Sequence, residues 1–409
     1  MGLLKPALSA LIILLMPTLG MHADSPEQEW TVESIRSQLE IVEDLRGQGK
    51  YDEGLQLAQS LHDAATELSE VKLELEARYQ ISLLHYYKQD FDEARTSLKI
   101  GITKAGMEGL DALKADFLTA EGVLEWKQGN LSIATQKLVD ALEMHRGNGQ
   151  ILSMISTTNN LGIIAYSQKD YLGAAGYYRL GLEWLGDMDN DRLRASLTSN
   201  LAETLIPLNQ LEEAEVWLNQ SLELEEKLGE PQGLAYTYLN FGELRSKQGN
   251  HDAAIRHYNK ALRLQNEIGD EWGACLTQLR RGREFAELGE TEMALGVLNK
   301  GIENARSLNA LTILADYANE LQELHRELGD EGKATYFHDL GDWLKVRMQA
   351  ESELALNTDV VDSEAAGEPE ESTATGVPIV QIIALVIIAG LIATLLVENM
   401  RLRKKARSL

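Results

Sequence analysis

The chain has 409 residues, a formal charge of −26, seven prolines and a single cysteine. So acidic a surface repels phosphate backbones, which argues against nucleic acid as a partner, and one cysteine excludes an intramolecular disulfide framework. The acidity is also localised. Of 38 Lys and Arg, only Lys5 and the five basic residues of the tail lie outside residues 24–376. Of 64 Asp and Glu, only Glu398 does, so that segment carries 32 cations against 63 anions.

In chain order, residues 1–23 read as a secretory signal. Lys5 supplies the positive start, Leu8–Leu15 the apolar run, Pro17 and Gly20 the helix breakers, and Ala23 the cleavage point. The segment from Ser25 to Gly49 predicts a first helix, because Ile35, Leu39, Val42 and Leu45 keep helical spacing. From there to residue 350 the chain repeats itself. The stretch Gly249–Leu262 shows the unit. Gly249 and Asn250 form a turn, and Asn250 or Asp252 can cap the next helix. Ala254, Tyr258, Ala261 and Leu262 then make one apolar stripe.

The same frame recurs every 40 residues. Gly54, Ala94, Ala134, Ala174, Ala214, Ala254, Ala294 and Ala334 stand in register. Four residues on, the position is usually bulky (Leu98, Leu138, Tyr178, Leu218, Tyr258, Leu298). Seven on it is small again (Gly101, Ala141, Gly181, Ser221, Ala261, Gly301, Gly341). Twelve before it lies another small series (Ser82, Gly122, Gly162, Ala202, Gly242, Gly282). A fixed period of this size is the mark of a solenoid, and small residues on both members of a helix pair predict close approach within the pair. Turns are expected near Gln89, Gly129, Lys169, Asn209, Gly249 and Gly289. Gly54 and Ala58 make the first repeat atypical, and His338 and Asp342 give the eighth a polar face, as end repeats require.

Beyond the repeats, residues 351–376 are rich in Glu, Asp, Ser, Thr and Ala and lack aromatics, which predicts a disordered acidic linker. Val377–Val397 is uncharged over a length that spans a bilayer as a helix. Arg401, Arg403, Lys404, Lys405 and Arg407 follow. The positive-inside rule places residues 398–409 in the cytoplasm and the repeats outside it.

These residues resemble the tetratricopeptide repeat, with Gly242, Ala254, Tyr258, Ala261 and Leu262 as the best-fitting copy. The step of 40 is longer than the common one of about 34, and the closing proline is absent. The longer-helix subclass has this step. The resemblance implies an all-α, right-handed solenoid of about eight helix-turn-helix repeats over residues 24–350, here with one C-terminal transmembrane helix.

No catalytic motif is present. His251 and His257 fall on different faces of their helix, no His-Glu-x-x-His or Gly-x-Ser-x-Gly occurs, and Gly47-x-Gly49 lacks the strand and the lysine of a phosphate loop. No catalytic residue, metal or cofactor is therefore assigned, and Cys275 reads as a small core residue. The informative pattern is a ladder. Asn160, Asn200 and Asn240 each precede a small residue by two in successive first helices, and Arg280 takes that place in the next. An Asn amide can both donate to and accept from a peptide bond, and in the family that position clamps peptides. Helical spacing adds Tyr236, Lys247 and Arg283 as groove neighbours. The competing reading has the Asn residues bonding the neighbouring helix and only setting repeat spacing.

The expected function is a membrane-anchored, extracytoplasmic adaptor that holds a protein or peptide segment in the groove. The alternative is a sensor subunit resembling the sensory half of bacterial tetratricopeptide-containing receptor cyclases and kinases, signalling through a partner because the twelve residues after Val397 are too few for a catalytic domain. A structural scaffold for envelope assembly is a third expectation.

Overall fold

The computed structural model describes the backbone of residues 30–365 and the side chains of residues 30–350. The expected signal (1–23), membrane span (377–397) and basic tail (398–409) lie outside the described residues. No described helix is long and apolar enough to cross a membrane. The described residues form sixteen α-helices and no strand.

The chain divides after Lys104 into two compact units. The first holds α1 (Val32–Gly47), α2 (Tyr51–Glu67), α3 (Val71–Lys88) and most of α4 (Phe91–Met107). Its core gathers Ile35, Val42, Leu61, Leu73 and Leu84. Helix α1 starts later than Ser25. Thr31 is its N-cap and accepts from the Ser34 amide at 3.1 Å, while Ser34 Oγ accepts from the Thr31 amide at 2.9 Å. This reciprocal cap satisfies two otherwise orphaned donors and so sets the boundary.

The second unit contains α5 (Asp111–Lys127), α6 (Leu131–Gly147), α7 (Ile151–Ser167), α8 (Tyr171–Leu185), α9 (Asp191–Leu205) and α10 (Leu211–Leu228). It continues with α11 (Pro231–Lys247), α12 (His251–Ile268), α13 (Glu271–Glu287), α14 (Thr291–Ser307), α15 (Leu311–Glu327) and α16 (Glu331–Ala365). The helices pair consecutively, as a tetratricopeptide-like solenoid does. A residue with positive φ closes nearly every helix, at a step of 20 residues from Gly49 to Gly329. Five of these are not glycine: Ser69, Gln89, Lys169, Asn209 and Asn309. Each accepts a left-handed conformation costing about 1–2 kcal/mol because the helix-ending hydrogen bonds hold it there. After Lys169, for example, the Asp170 amide donates to Ala165 O at 2.9 Å.

Two kinds of close approach alternate. Within a pair, the glycine of the first helix receives the bulky residue of the second. A Cβ added at Gly242 would come within 2.2 Å of the Tyr258 ring, and one at Gly162 within 2.5 Å of Tyr178. The other small series works between pairs, not within them. Gly301 on α14 faces the Tyr317 hydroxyl of α15, and Ser221 Oγ on α10 lies 3.0 Å from Thr237 Oγ1 of α11. Tyr317 is fully buried and donates to the Cys275 carbonyl at 2.7 Å, so Cys275 is a core residue that accepts through its backbone.

At the C-terminal end, His338 Nε2 and Asp342 Oδ2 are exposed and 3.4 Å apart, a polar outer face. Helix α16 runs 35 residues and reaches Ala365, so residues 351–365 of the expected disordered linker are helical. The reason is cooperativity: extending a formed helix through Glu, Ala and Leu adds one hydrogen bond per residue without a new nucleus.

Next to Tyr258 on α12, the His257 ring stacks on Phe241 of α11 at 5.2 Å between centroids. Burial, then the nearby Lys260, Arg245 and Arg256 charges, depress its pKa from the usual 6.5 to about 4. The unfolded chain therefore takes up a proton in that interval before the folded one does, and stability falls as pH falls from 6.5 to 4. Allowing for the half-buried ring, this histidine is expected to account for about 2 kcal/mol of acid destabilisation. Melting curves of the protein and of His257→Phe across that range check it, and the variant should lose less stability.

Candidate partner-binding site

Helices α7, α9, α11, α13 and α15 are the first members of successive pairs, so residues 40 apart occupy one level on each. The predicted ladder sits there and continues to Glu320 on α15. Its asparagines turn toward neighbouring helices. Asn200 Nδ2 donates to Asn159 Oδ1 at 3.0 Å, and Asn240 Nδ2 to Ser199 Oγ at 3.5 Å. Asn240 is only 1% exposed. The structure places Asn240 differently from a groove-facing clamp: its Nδ2 is directed at the preceding first helix and the side chain presents no surface. Asn200 is half-buried, and Asn160 lies beside Trp126 and Ile163 in a small apolar recess. The spacing reading of the ladder is the one these bonds support. Asn240→Ala is expected to lower stability by about 1 kcal/mol, since it removes a buried hydrogen bond and leaves Ser199 unpaired. It should leave partner capture unchanged, which melting and binding measured on the same sample would separate.

The charged residues behave differently. Lys247 (α11), Arg280 and Arg283 (both α13) line one pocket of about 280 Å³, together with Tyr166 (α7), Glu243 (α11) and Glu284 (α13). Ile206 and Pro207, just after α9, form an apolar side, and Ser246 and Tyr258 complete it. Arg280 is ion-paired with Glu243, and Arg283 Nε donates to Glu320 Oε1 at 2.6 Å. Glu284, 4% exposed, lies 2.7 Å from His251 Nδ1. Lys247 is exposed and makes no ion pair among the described residues.

Tyr236 does not line this pocket. Its hydroxyl donates to Glu203 Oε2 on α9, and Tyr166 is a further neighbour acting on Glu203. Burial is the largest influence on Glu203 and raises its pKa, against the lowering effect of Tyr236, Arg280 and Tyr166. Burial likewise raises Asp316 on α15 and lowers Arg280, which the Glu203 and Tyr166 charges support. Sequence reasoning missed Glu203, Glu243 and Tyr166. A signal existed for the first two: Glu203, Glu243 and Arg283 form a second ladder at a step of 40, three residues after the first.

The arrangement can hold an extended chain by polar and charged contacts, and nothing in it resembles a nucleophile with its base. Among the described residues no three metal-ligating side chains converge.

Paired helices at a constant step, with small residues at both contacts, define an all-α repeat protein. Residues 193–267 and 235–307 match the tetratricopeptide repeat family. No curated protein matches the chain. Among solved structures, the chain is similar to the apo form of RapI (14% identity, covering 68% of this chain and 99% of that chain, TM-score 0.57). It is similar to a Rap protein in complex with competence and sporulation factor (16% identity, 78% and 99% covered, TM-score 0.55). It also resembles NprR in complex with its cognate peptide NprX (16% identity, 75% and 98% covered, TM-score 0.51). At such identities the likeness is one of fold.

Proposed function

We propose that this protein is an interaction adaptor that holds an extended peptide or protein segment against the first-helix face of α7, α9, α11 and α13. The observation that carries the reading is the pocket where Lys247, Arg280 and Arg283 converge from two helices beside an apolar ledge. Such convergence of charge in a chain otherwise so acidic has no packing role for Lys247, whose ammonium stands in solvent. The fold supports the same reading, since a Rap protein and NprR, both similar in fold, were solved with a bound factor and a bound peptide.

In this proposal the solenoid works outside the cytoplasm. Residues 1–23 direct its export and residues 377–397 tether it to the membrane, with residues 398–409 inside. Reporter fusions that are active only outside the cytoplasm, placed after residue 350 and after residue 409, test the topology. Activity at the first position alone is expected, and activity at both would refute it.

Binding is tested by photo-crosslinking in intact cells from Lys247 and Arg283, with Val216 as the control. Val216 is a strongly exposed residue of α10, a second helix. A discrete adduct from the first two positions alone is expected. Equal labelling from all three, or none from Lys247 and Arg283, would sink the reading.

A further inference from the structure

Four positions on the α11–α12 pair are closed by ring contacts. His257 stacks on Phe241, and the Lys260 ammonium lies 4.6 Å from the centre of the Tyr238 ring. On the α5–α6 pair, two of these positions close with charge instead: Lys137 Nζ reaches the buried Glu121 carboxylate at 2.8 Å. On the α3–α4 pair of the first unit the same four positions are Arg78, Ile81, Ser97 and Ile100. Ser97 is the shortest side chain of its series, which elsewhere reads Leu57, Lys137, Tyr177, Trp217, His257 and Val297. Where the others fill the space, Arg78, Ile81, Ser97 and Ile100 line a cleft of about 410 Å³, with Asp92 and Glu93 beside them. Small-molecule sites commonly have this volume and this mixture of apolar walls with a few polar groups.

Arg78 is the second anomaly. Its Nη2 donates to His62 Nε2 at 2.7 Å, and its Nε is buried without an acceptor. An imidazole nitrogen takes a hydrogen bond but returns no negative charge. Glu74, one turn earlier on α3, is held by Lys104 Nζ at 2.6 Å from each of its oxygens. Asp92 stands in solvent 3.8 Å from Arg95, and Glu93 is exposed. Among the described residues Arg78 therefore has no carboxylate within ion-pair distance, although the chain is rich in acids. A half-buried guanidinium is costly without an anion, and its planar fork suits a carboxylate.

We propose that the cleft between α3 and α4 binds a short aliphatic carboxylate. Its two oxygens take the remaining hydrogens of Arg78 Nη1 and Nη2, which form a charge-assisted fork. The Ser97 hydroxyl, which accepts from Ser82 Oγ at 2.9 Å, still has its own proton to donate. The aliphatic chain lies on Ile81 and Ile100, whose side chain is 45% exposed in the empty cleft. The exposed Asp92 and Glu93 favour a ligand with one negative charge over one with two. The site belongs to the first unit and shares no residue with the partner-binding pocket, so it stands or falls apart from the adaptor reading.

The experiment uses the full chain and three probes: hexanoate, the neutral hexanamide, and acetate, which has the charge without the chain. Ligand-observed NMR titrations give the affinities. Hexanoate is expected to bind at least roughly tenfold more tightly than hexanamide, the scale of a hydrogen bond to a charged group, and more tightly than acetate. Arg78→Gln should bring hexanoate down to the level of hexanamide. Ser97→Tyr gives this position the side chain that Tyr177 has in its own repeat. It should abolish hexanoate binding without lowering the melting temperature, since Ser82 Oγ keeps the Arg78 carbonyl as an acceptor at 2.9 Å. Lys247→Ala should bind hexanoate as the parent does.

Equal affinity for hexanoate and hexanamide overturns the proposal, and so does hexanoate binding that survives in a folded Ser97→Tyr. Loss of hexanoate binding in Lys247→Ala also overturns it, by placing the probe in the partner-binding pocket; the crosslinks from Lys247 and Arg283 decide the adaptor reading independently.

Discussion

Gly242→Leu is expected to lower the stability of the second unit by about 3 kcal/mol, because the site has no room for even one added carbon. An alanine Cβ would already lie 2.2 Å from the Tyr258 ring, and that ring is 1% exposed and enclosed by Leu239, Ala254 and Ala261. The strain must be relieved by moving α11 away from α12, which opens the contact that holds this pair of helices together. Since repeat proteins unfold by neighbouring units, hydrogen exchange should show local opening around α11 and α12 before global melting. The cause is separable. Tyr258→Ala alone leaves a cavity costing about 3–5 kcal/mol, whereas Gly242→Leu combined with Tyr258→Ala should be less destabilised than the two single losses together. Strict additivity of the two would show that the glycine matters for some reason other than this contact.

Arg280→Ala should cost about 2–3 kcal/mol at neutral pH, since Glu243 and Glu203 would lose the cation they face in a mostly buried setting. The sign of its pH dependence is fixed by the carboxyls. Glu203 has a raised pKa in the fold, so its neutral form is favoured there, and lowering the pH relieves the unpaired charge. The deficit of Arg280→Ala relative to the parent should therefore shrink as the solution is acidified, as denaturant melts at several pH values would show. Arg280→Ala with Glu243→Ala should recover part of the loss at neutral pH. Arg280→Lys should not restore the parent, because an ammonium cannot present the planar fork that reaches two carboxylates. A deficit that grows in acid would mean that Glu203 is not the group left unpaired.

Several features were legible before any coordinates. Ala254, Tyr258, Ala261 and Leu262 form the buried stripe their spacing implies, Asn250 caps α12 by accepting from the Ala253 amide at 3.1 Å, and every expected turn lies between two helices. The turns after Gln89 and Lys169 were harder to read in detail. Left-handed residues that are not glycine leave no compositional trace, and only the period exposed them. Apolar spacing does not mark where α1 begins, whereas the Thr31–Ser34 cap does. Low hydrophobicity after residue 350 argues for disorder, but helix propagation carries α16 on to Ala365.

The candidate site divides in the same way. Lys247 and Arg283 by helical spacing, and Arg280 by its ladder register, are expected near one another, and all three line one pocket. The role of each was a different matter. Asn240 and Arg280 share a register, yet one is sealed against Ser199 and the other meets Glu243. A 40-residue period is a property of local chemistry: helix formers, turn formers and small residues at contacts suffice to specify paired helices, and a linear text carries all of it. Which side chain a polar residue meets depends on the angle and distance between helices that are far apart in the text. The bond from Tyr236 to Glu203 crosses 33 positions and that from Arg283 to Glu320 crosses 37. Such pairings exist only after the pairs have stacked, so the partition of this face into packing amides and a charged pocket belongs to the tertiary structure.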